Sequence, residues 1–185
     1  YFPSIKYFQC LNTYKSIYIE YKEYYKRHSI RNRSLILGAN GPLLLTVPIR
    51  KKKSSKTLIE NIEIANNEWK KTHINSIKSA YGSAPFFIYY FDQFQKIINK
   101  NHAFLIDLNY EILEYLLNEF KINANIQKTQ TYIKKYSDHC IDQREELIIN
   151  KNLKTYTQVF EKKITPNLSI IDLLFNLGPN AKKYI

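Results

Sequence analysis

The chain of 185 residues contains no Met, two Cys, four Gly and one Trp, and each scarcity narrows what it can be. Cys10 and Cys140 stand far apart with no Cys-x-x-Cys, which leaves neither a disulfide framework nor a zinc ribbon. A reducing compartment, the cytoplasm, is the expected setting. The absence of Met leads us to expect that the initiating residue is missing, and no charged-then-apolar leader opens the chain. Long apolar runs are also missing: the longest, Ala84 to Phe91, covers eight residues, against the roughly 20 that a bilayer span requires. No membrane span is expected.

Arg is scarce too, at five of the 28 basic residues, although the formal net charge is +12. That charge would ordinarily suggest nucleic acid. Yet 26 Ile, 18 Asn, 23 Lys and 16 Tyr together make 83 of 185 residues, all with AT-rich codons. Such drift converts Arg to Lys without selection for charge, whereas phosphate recognition favours the bidentate Arg fork. Nucleic acid is therefore not expected as a partner. With 44% apolar and 24% charged residues, collagen-like, disordered and coiled-coil classes fall away. One domain over residues 1–185 is the expected organisation.

The pattern along the chain is that of an α/β domain with a mixed sheet. Ser4 precedes Ile5, Phe8 and Leu11 at helical spacing, and Ile17 to Tyr21 is β-branched and aromatic, as in a strand. Leu35 to Leu37, Gly38-Ala39-Asn40-Gly41 and Leu43 to Ile49 read as a β-hairpin, because Asn-Gly tolerates positive φ. Arg50 to Lys56 is a basic loop without a P-loop framework, and Leu58 to Ile64 resembles a strand with imperfect alternation. Three central helices follow. In the first, capped by Asn66 or Asn67, Trp69, His73, Ile77 and Ala80 share a face that Lys70, Lys71 and Lys78 largely avoid. The others run from about Phe86 to Lys100 and from Ala103 to Phe120, with Leu105, Leu108, Ile112, Tyr115 and Leu116 inward. Ile126 to Tyr132 suggests another strand, Ser137 to Lys154 a polar segment, and Asn167 to Pro179 a capped apolar helix with a Gly-Pro stop.

Candidate chemistry is sparse. The histidines at 28, 73, 102 and 139 show no HxxH or HExxH spacing, so a metal site is not expected, and the residues name no cofactor. His73 reads either as a core histidine with one hydrogen bond or as a base or substrate contact tuned by burial. Lys26, His28, Arg31, Asn32 and Arg33 place five polar donors in eight residues of a loop, suited to phosphate or carboxylate oxygens or simply to solvent. Ser169 with Asp172 admits a nucleophile and its orienter, or a capping box; no GxSxG surrounds the serine. Asp172 and Asn176 share a helical face amid apolar residues, as a ligand contact or a structural network. Tyr156 and Gln158 project together if the backbone is extended, offering stacking and amide recognition of a sugar, or an ordinary strand face.

The ordered pieces Tyr1-Phe2-Pro3-Ser4, Asn32-Arg33, Leu45-Thr46-Val47-Pro48, Trp69, His73, Ala80-Tyr81 and Ala84-Pro85-Phe86-Phe87 resemble the WbqC-like family. So do Leu108-Asn109, Tyr156-x-Gln158 and Asn167-Leu168-Ser169-Ile170-Ile171-Asp172-Leu173-Leu174-Phe175-Asn176-x-Gly178-Pro179. The resemblance implies a protein of bacterial O-antigen and surface-polysaccharide clusters, for which transfer of glycine onto an amino sugar is proposed. It also implies that a first strand and a Gln-Pro precede this Tyr-Phe-Pro in relatives. A looser likeness to the opening of nucleotidylyltransferase-type folds implies nucleotide phosphates at a helix N-terminus.

The expectation is a transferase acting on an activated or nucleotide-linked sugar with an aminoacyl donor. His73 and Asp172 are its candidate catalytic residues. Lys26, Asn32, Arg33, Tyr81, Tyr156, Gln158 and Asn176 are its candidate substrate contacts. The alternative is a non-enzymatic module that binds a glycan intermediate or the assembly machinery. Arg33, His73 and Asp172 lining one cleft would favour the enzyme; scattered positions with an exposed apolar patch would favour the adaptor.

Overall fold

Ser4 starts the first helix, α1 (Ile5–Thr13), by accepting a hydrogen bond from the Tyr7 amide at 3.2 Å, and Ile5, Phe8 and Leu11 are buried along one face. This computed structural model describes residues 1–51, 56–137, 139–144, 154–160 and 165–185. The sequence expectations for Lys52 to Ser55 and for much of the polar segment before Lys154 lie outside those residues. Strand β1 (Ser16–Ile19) follows, then the hairpin β2 (Arg33–Gly38) and β3 (Gly41–Thr46), with Arg33 opposite Thr46 and Gly38 opposite Gly41. The turn residues are Ala39 and Asn40, and the positive φ the turn requires, 106°, falls on Gly41.

Helices α2 (Glu68–Tyr81), α3 (Phe87–Asn99) and α4 (Leu105–Glu119) form the expected central group, and α5 (Ile170–Leu177) closes the core. Strand β4 (Asn125–Lys128) pairs with β1 in parallel, while β2 and β3 pair antiparallel. The α/β domain thus carries mixed pairing, divided between two two-stranded ladders among the described residues. No helix among the described residues is long and apolar enough to cross a membrane.

Four local expectations are corrected. Leu58 to Ile64 is not a strand: Ile59–Asn61 forms a 3₁₀ turn between isolated bridges, because the buried Ile59 and Ile62 repeat at three residues rather than two. Strand β3 ends at Thr46 rather than Ile49, with Val47 donating to the Asn32 carbonyl before Pro48, which has no N–H. Asn67 starts α2 without a side-chain cap, and Asn66 turns to Glu68 instead. Lys70 does not face solvent. It is buried, and its ammonium donates to the carbonyls of Asn99 and Lys100 at 3.3 and 2.8 Å, closing the C-terminus of α3.

The core is aromatic. Phe94 meets Phe2, Tyr115 and Phe175 edge-on at centroid distances of 5.5, 5.0 and 5.7 Å, and Phe175 also touches Tyr81 and Phe87. Every residue of α5 from Ile170 to Asn176 is buried, so its two polar side chains must find partners inside. The helix stops at Gly178, φ 53°, whose missing Cβ would lie 2.4 Å from the Phe86 ring. Gly178→Ala is expected to cost on the order of 3 kcal/mol, from left-handed strain plus overpacking, measurable by urea denaturation.

Candidate functional site

Two polar centres lie along α2. The first gathers around Asp172, which α5 carries into the core with no solvent exposure. Its Oδ1 accepts from the Tyr156 hydroxyl at 2.6 Å and its Oδ2 from the Tyr81 hydroxyl at 2.9 Å, while Asn176 donates to its backbone carbonyl at 2.8 Å. Gln158 donates to the Tyr156 oxygen at 3.1 Å and exchanges hydrogen bonds with the Thr165 backbone. Tyr81 also accepts from the Leu37 amide at 3.3 Å, tying the network to β2. Burial raises the Asp172 pKa, opposed by the hydroxyls of Tyr156 and Tyr81. Asp172 does not complete a capping box: Ser169 caps α5 through the Ile171 amide, and its own amide donates to Leu35.

The second centre surrounds His73, at the other end of the same helix face. Eight residues separate it from Tyr81, about 12 Å along the axis. Its Nδ1 lies 3.0 Å from the Tyr1 hydroxyl, and its ring packs on Trp69 at 5.0 Å. Burial lowers its pKa to about 4 against a smaller opposing pull from the Thr46 backbone, so the ring is neutral at pH 7. Asn32 is also buried and occupied, accepting from Tyr25 and donating to the Val47 carbonyl, both at 2.8 Å. Arg33 is half-buried nearby with its guanidinium against His28. Lys26 belongs to the same loop.

The predicted residues thus form two groups, with Tyr81, Tyr156, Gln158, Asp172 and Asn176 in one and Asn32, Arg33 and His73 at the hairpin's open end, so that Arg33, His73 and Asp172 do not line one cleft. The helix N-terminus that a phosphate would use on α1 is occupied: the amides of Ile5, Lys6, Tyr7 and Phe8 donate to Leu168, Asn167, Ser4 and Ser4. No group of three or more His, Cys, Asp or Glu side chains able to hold a metal occurs among the described residues.

A cavity of about 200 Å³ adjoins the first centre. It is lined by the buried Ile5 and Leu173, by Tyr156 and Tyr184, and by the polar residues Lys154, Thr155, Thr165 and Asn167. The two tyrosine rings stand nearly perpendicular, 75° apart at 6.0 Å. Spacing singled out Tyr156 with Gln158 as a sugar contact or an ordinary strand face, but nothing in the local pattern around Tyr184 marks it, since the turn after α5 brings it back to Tyr156.

A family model described as the WbqC-like protein family matches residues 1–151. The chain belongs to the WbqC-like family. The family match includes His73, Asn32, Arg33 and Tyr81, whereas Tyr156, Gln158, Asp172 and Asn176 lie beyond it. One relative by sequence is "Uncharacterized protein Rv1507c" of Mycobacterium tuberculosis (strain ATCC 25618 / H37Rv), 24% identical over 192 residues, covering 87% of this chain and 83% of that protein. No solved structure matches this WbqC-like chain.

Proposed function

We propose that the protein works in bacterial surface-polysaccharide (O-antigen) biosynthesis by binding an activated or nucleotide-linked amino sugar at the cavity beside Tyr156. Membership of the WbqC-like family supports the pathway. The observation that carries the site is the fixed Tyr156 ring: its hydroxyl is held on Asp172, and its ring lines the cavity. A ring already immobilised loses little entropy when a sugar face packs on it. The lining threonines and Asn167 supply hydrogen-bonding groups for sugar hydroxyls, and Lys154 supplies a cation. The volume suits one sugar ring, since drug-sized sites run to ~300–1,000 Å³.

Transfer of an aminoacyl (glycyl) group to the sugar amine is the second reading, and Asp172 favours it. This carboxylate stands one hydrogen bond behind Tyr156, and its raised pKa makes it a better proton acceptor than an exposed one. The amine would attack the acyl carbon, forming C–N as the bond to the leaving group breaks, and its proton would pass through the Tyr156 hydroxyl to Asp172. Tyr81, Gln158 and Asn176 would hold the pair in place. His73 and Asn32 would support the scaffold on which it rests.

Thermal shifts against nucleotides, nucleotide-linked amino sugars, free amino sugars and aminoacyl donors test the binding reading. A ligand at 100 times its Kd adds about 2.7 kcal/mol, or roughly 5–10 °C for a chain of this size. The expected result is a shift with a nucleotide-linked amino sugar that Tyr184→Ala abolishes. A well-folded protein that shifts with nothing in the panel contradicts it. Formation of an acylated sugar from the bound pair would add the transferase reading.

A further inference from the structure

Five arginines occur in the chain, and three have carboxylate partners: Arg31 with Glu23, Arg50 with Glu63, and Arg144 with Asp142 and Glu20. Arg33 differs. It is half-buried, its Nε is shielded from solvent with no hydrogen-bond partner, and no carboxylate pairs with it among the described residues. Among the described residues its guanidinium hydrogen-bonds through Nη2 to Nδ1 of His28, a residue held at φ 56°, in the left-handed region that non-glycine residues seldom occupy. A guanidinium partly removed from water, with a buried N–H left unpaired, is costly unless an anion completes it.

The surroundings are cationic. Burial raises the Tyr25 pKa, while Arg33, Arg31 and Arg27 pull it the other way, so all three guanidinium groups lie within electrostatic reach of one hydroxyl. Glu23 neutralises Arg31 through a two-pronged pair at 2.6 and 2.5 Å. Arg27 and Arg33 remain without carboxylate partners among the described residues. Asn32, which the sequence placed among the anion contacts, is spent on Tyr25 and Val47.

We propose that the loop from Arg27 to Arg33 binds a phosphate or diphosphate group, with Arg33 as its main anchor and Arg27 and His28 as its further donors. Arg33 offers a planar fork of N–H donors that matches phosphate oxygens, and the His28 ring, whose Nδ1 accepts from Arg33, presents its Nε2 N–H as a further donor. The site sits at the hairpin's open end and is independent of the Tyr156 cavity.

Isothermal titration of the full chain with inorganic pyrophosphate tests it, with a nucleoside diphosphate as a second arm. Pyrophosphate is expected to bind with salt-dependent affinity, and Arg33→Gln to weaken it by roughly tenfold or more. Arg27→Gln, at an exposed position, is expected to weaken it several-fold with Tm unchanged, which keeps the test valid if Arg33→Gln is poorly folded. Equal affinity in the two arms assigns recognition to the phosphates alone; tighter nucleoside diphosphate binding, lost in the same variants, assigns it to a nucleotide. No pyrophosphate binding, or binding unaffected by Arg27→Gln and Arg33→Gln, overturns the proposal. Tyr184→Ala is expected to leave pyrophosphate binding intact, so this outcome and that of the sugar cavity are separable.

Discussion

Asp172→Ala is expected to lower the unfolding free energy by about 3–5 kcal/mol and Tm by roughly 6–20 °C. The carboxylate has no solvent exposure, and its two oxygens take the hydroxyls of Tyr156 and Tyr81. Removing it leaves two buried hydroxyls without their acceptor and a cavity inside α5. The pH dependence has a definite sign. Because burial raises the Asp172 pKa, the folded state holds that proton more tightly than the unfolded chain. The stability this group contributes therefore falls as pH rises from about 4 through the raised value, and is constant above it. Asp172→Asn has no such proton, so wild type is expected to lose ground against it across that window in urea titrations.

His73 gives the second large effect, with the opposite sign. Its folded pKa of about 4 lies below the 6.5 of an unperturbed imidazole. The unfolded chain then binds the extra proton as pH falls from about 6.5 to about 4, and stability declines over that interval. Between pH 7 and pH 5 the loss from this one group is expected to be about 2 kcal/mol. His73→Phe keeps a ring against Tyr1 and Trp69 and removes the titration, so its stability is expected to be flatter over the same range. An equal pH slope in the variant would assign the acid loss to other groups. The same neutral, enclosed ring is poorly suited to general-base work near pH 7, where a base is most effective with a pKa close to the working pH.

Much of the architecture was legible because the strongest periodicities were long. The faces of α2 and α4, the Gly38-Ala39-Asn40-Gly41 turn and the Ser169 cap all follow from local spacing and turn chemistry. Leu58 to Ile64 misled because a run of β-branched residues says little when the buried positions are three apart. Lys70 misled for a different reason. Its charge suggests the surface, yet the free carbonyls at the end of α3 give a buried ammonium its partners. The parallel pairing of β1 with β4 joins segments more than 100 residues apart, which no local pattern encodes.

The candidate site was legible in part for related reasons. Asp172 and Asn176 stood out as polar residues on an apolar helix, and Tyr156 and Gln158 as a polar pair two residues apart. That Tyr81 would meet Asp172 across 91 positions depends on how α2 and α5 pack. The separation of His73 from Asp172 follows from the same packing, because α2 runs along β2 with one centre at each end.

The Tyr156 cavity is proposed to hold a sugar. An NMR titration of labelled full-length protein with a nucleotide-linked amino sugar tests it most directly. Saturable shifts are expected, centred on the amides of Thr155, Thr165 and Leu173, with Ile74 and Ile77 of α2 unmoved. Shifts confined to other parts of the molecule, or no saturable shifts from a folded sample, would contradict it.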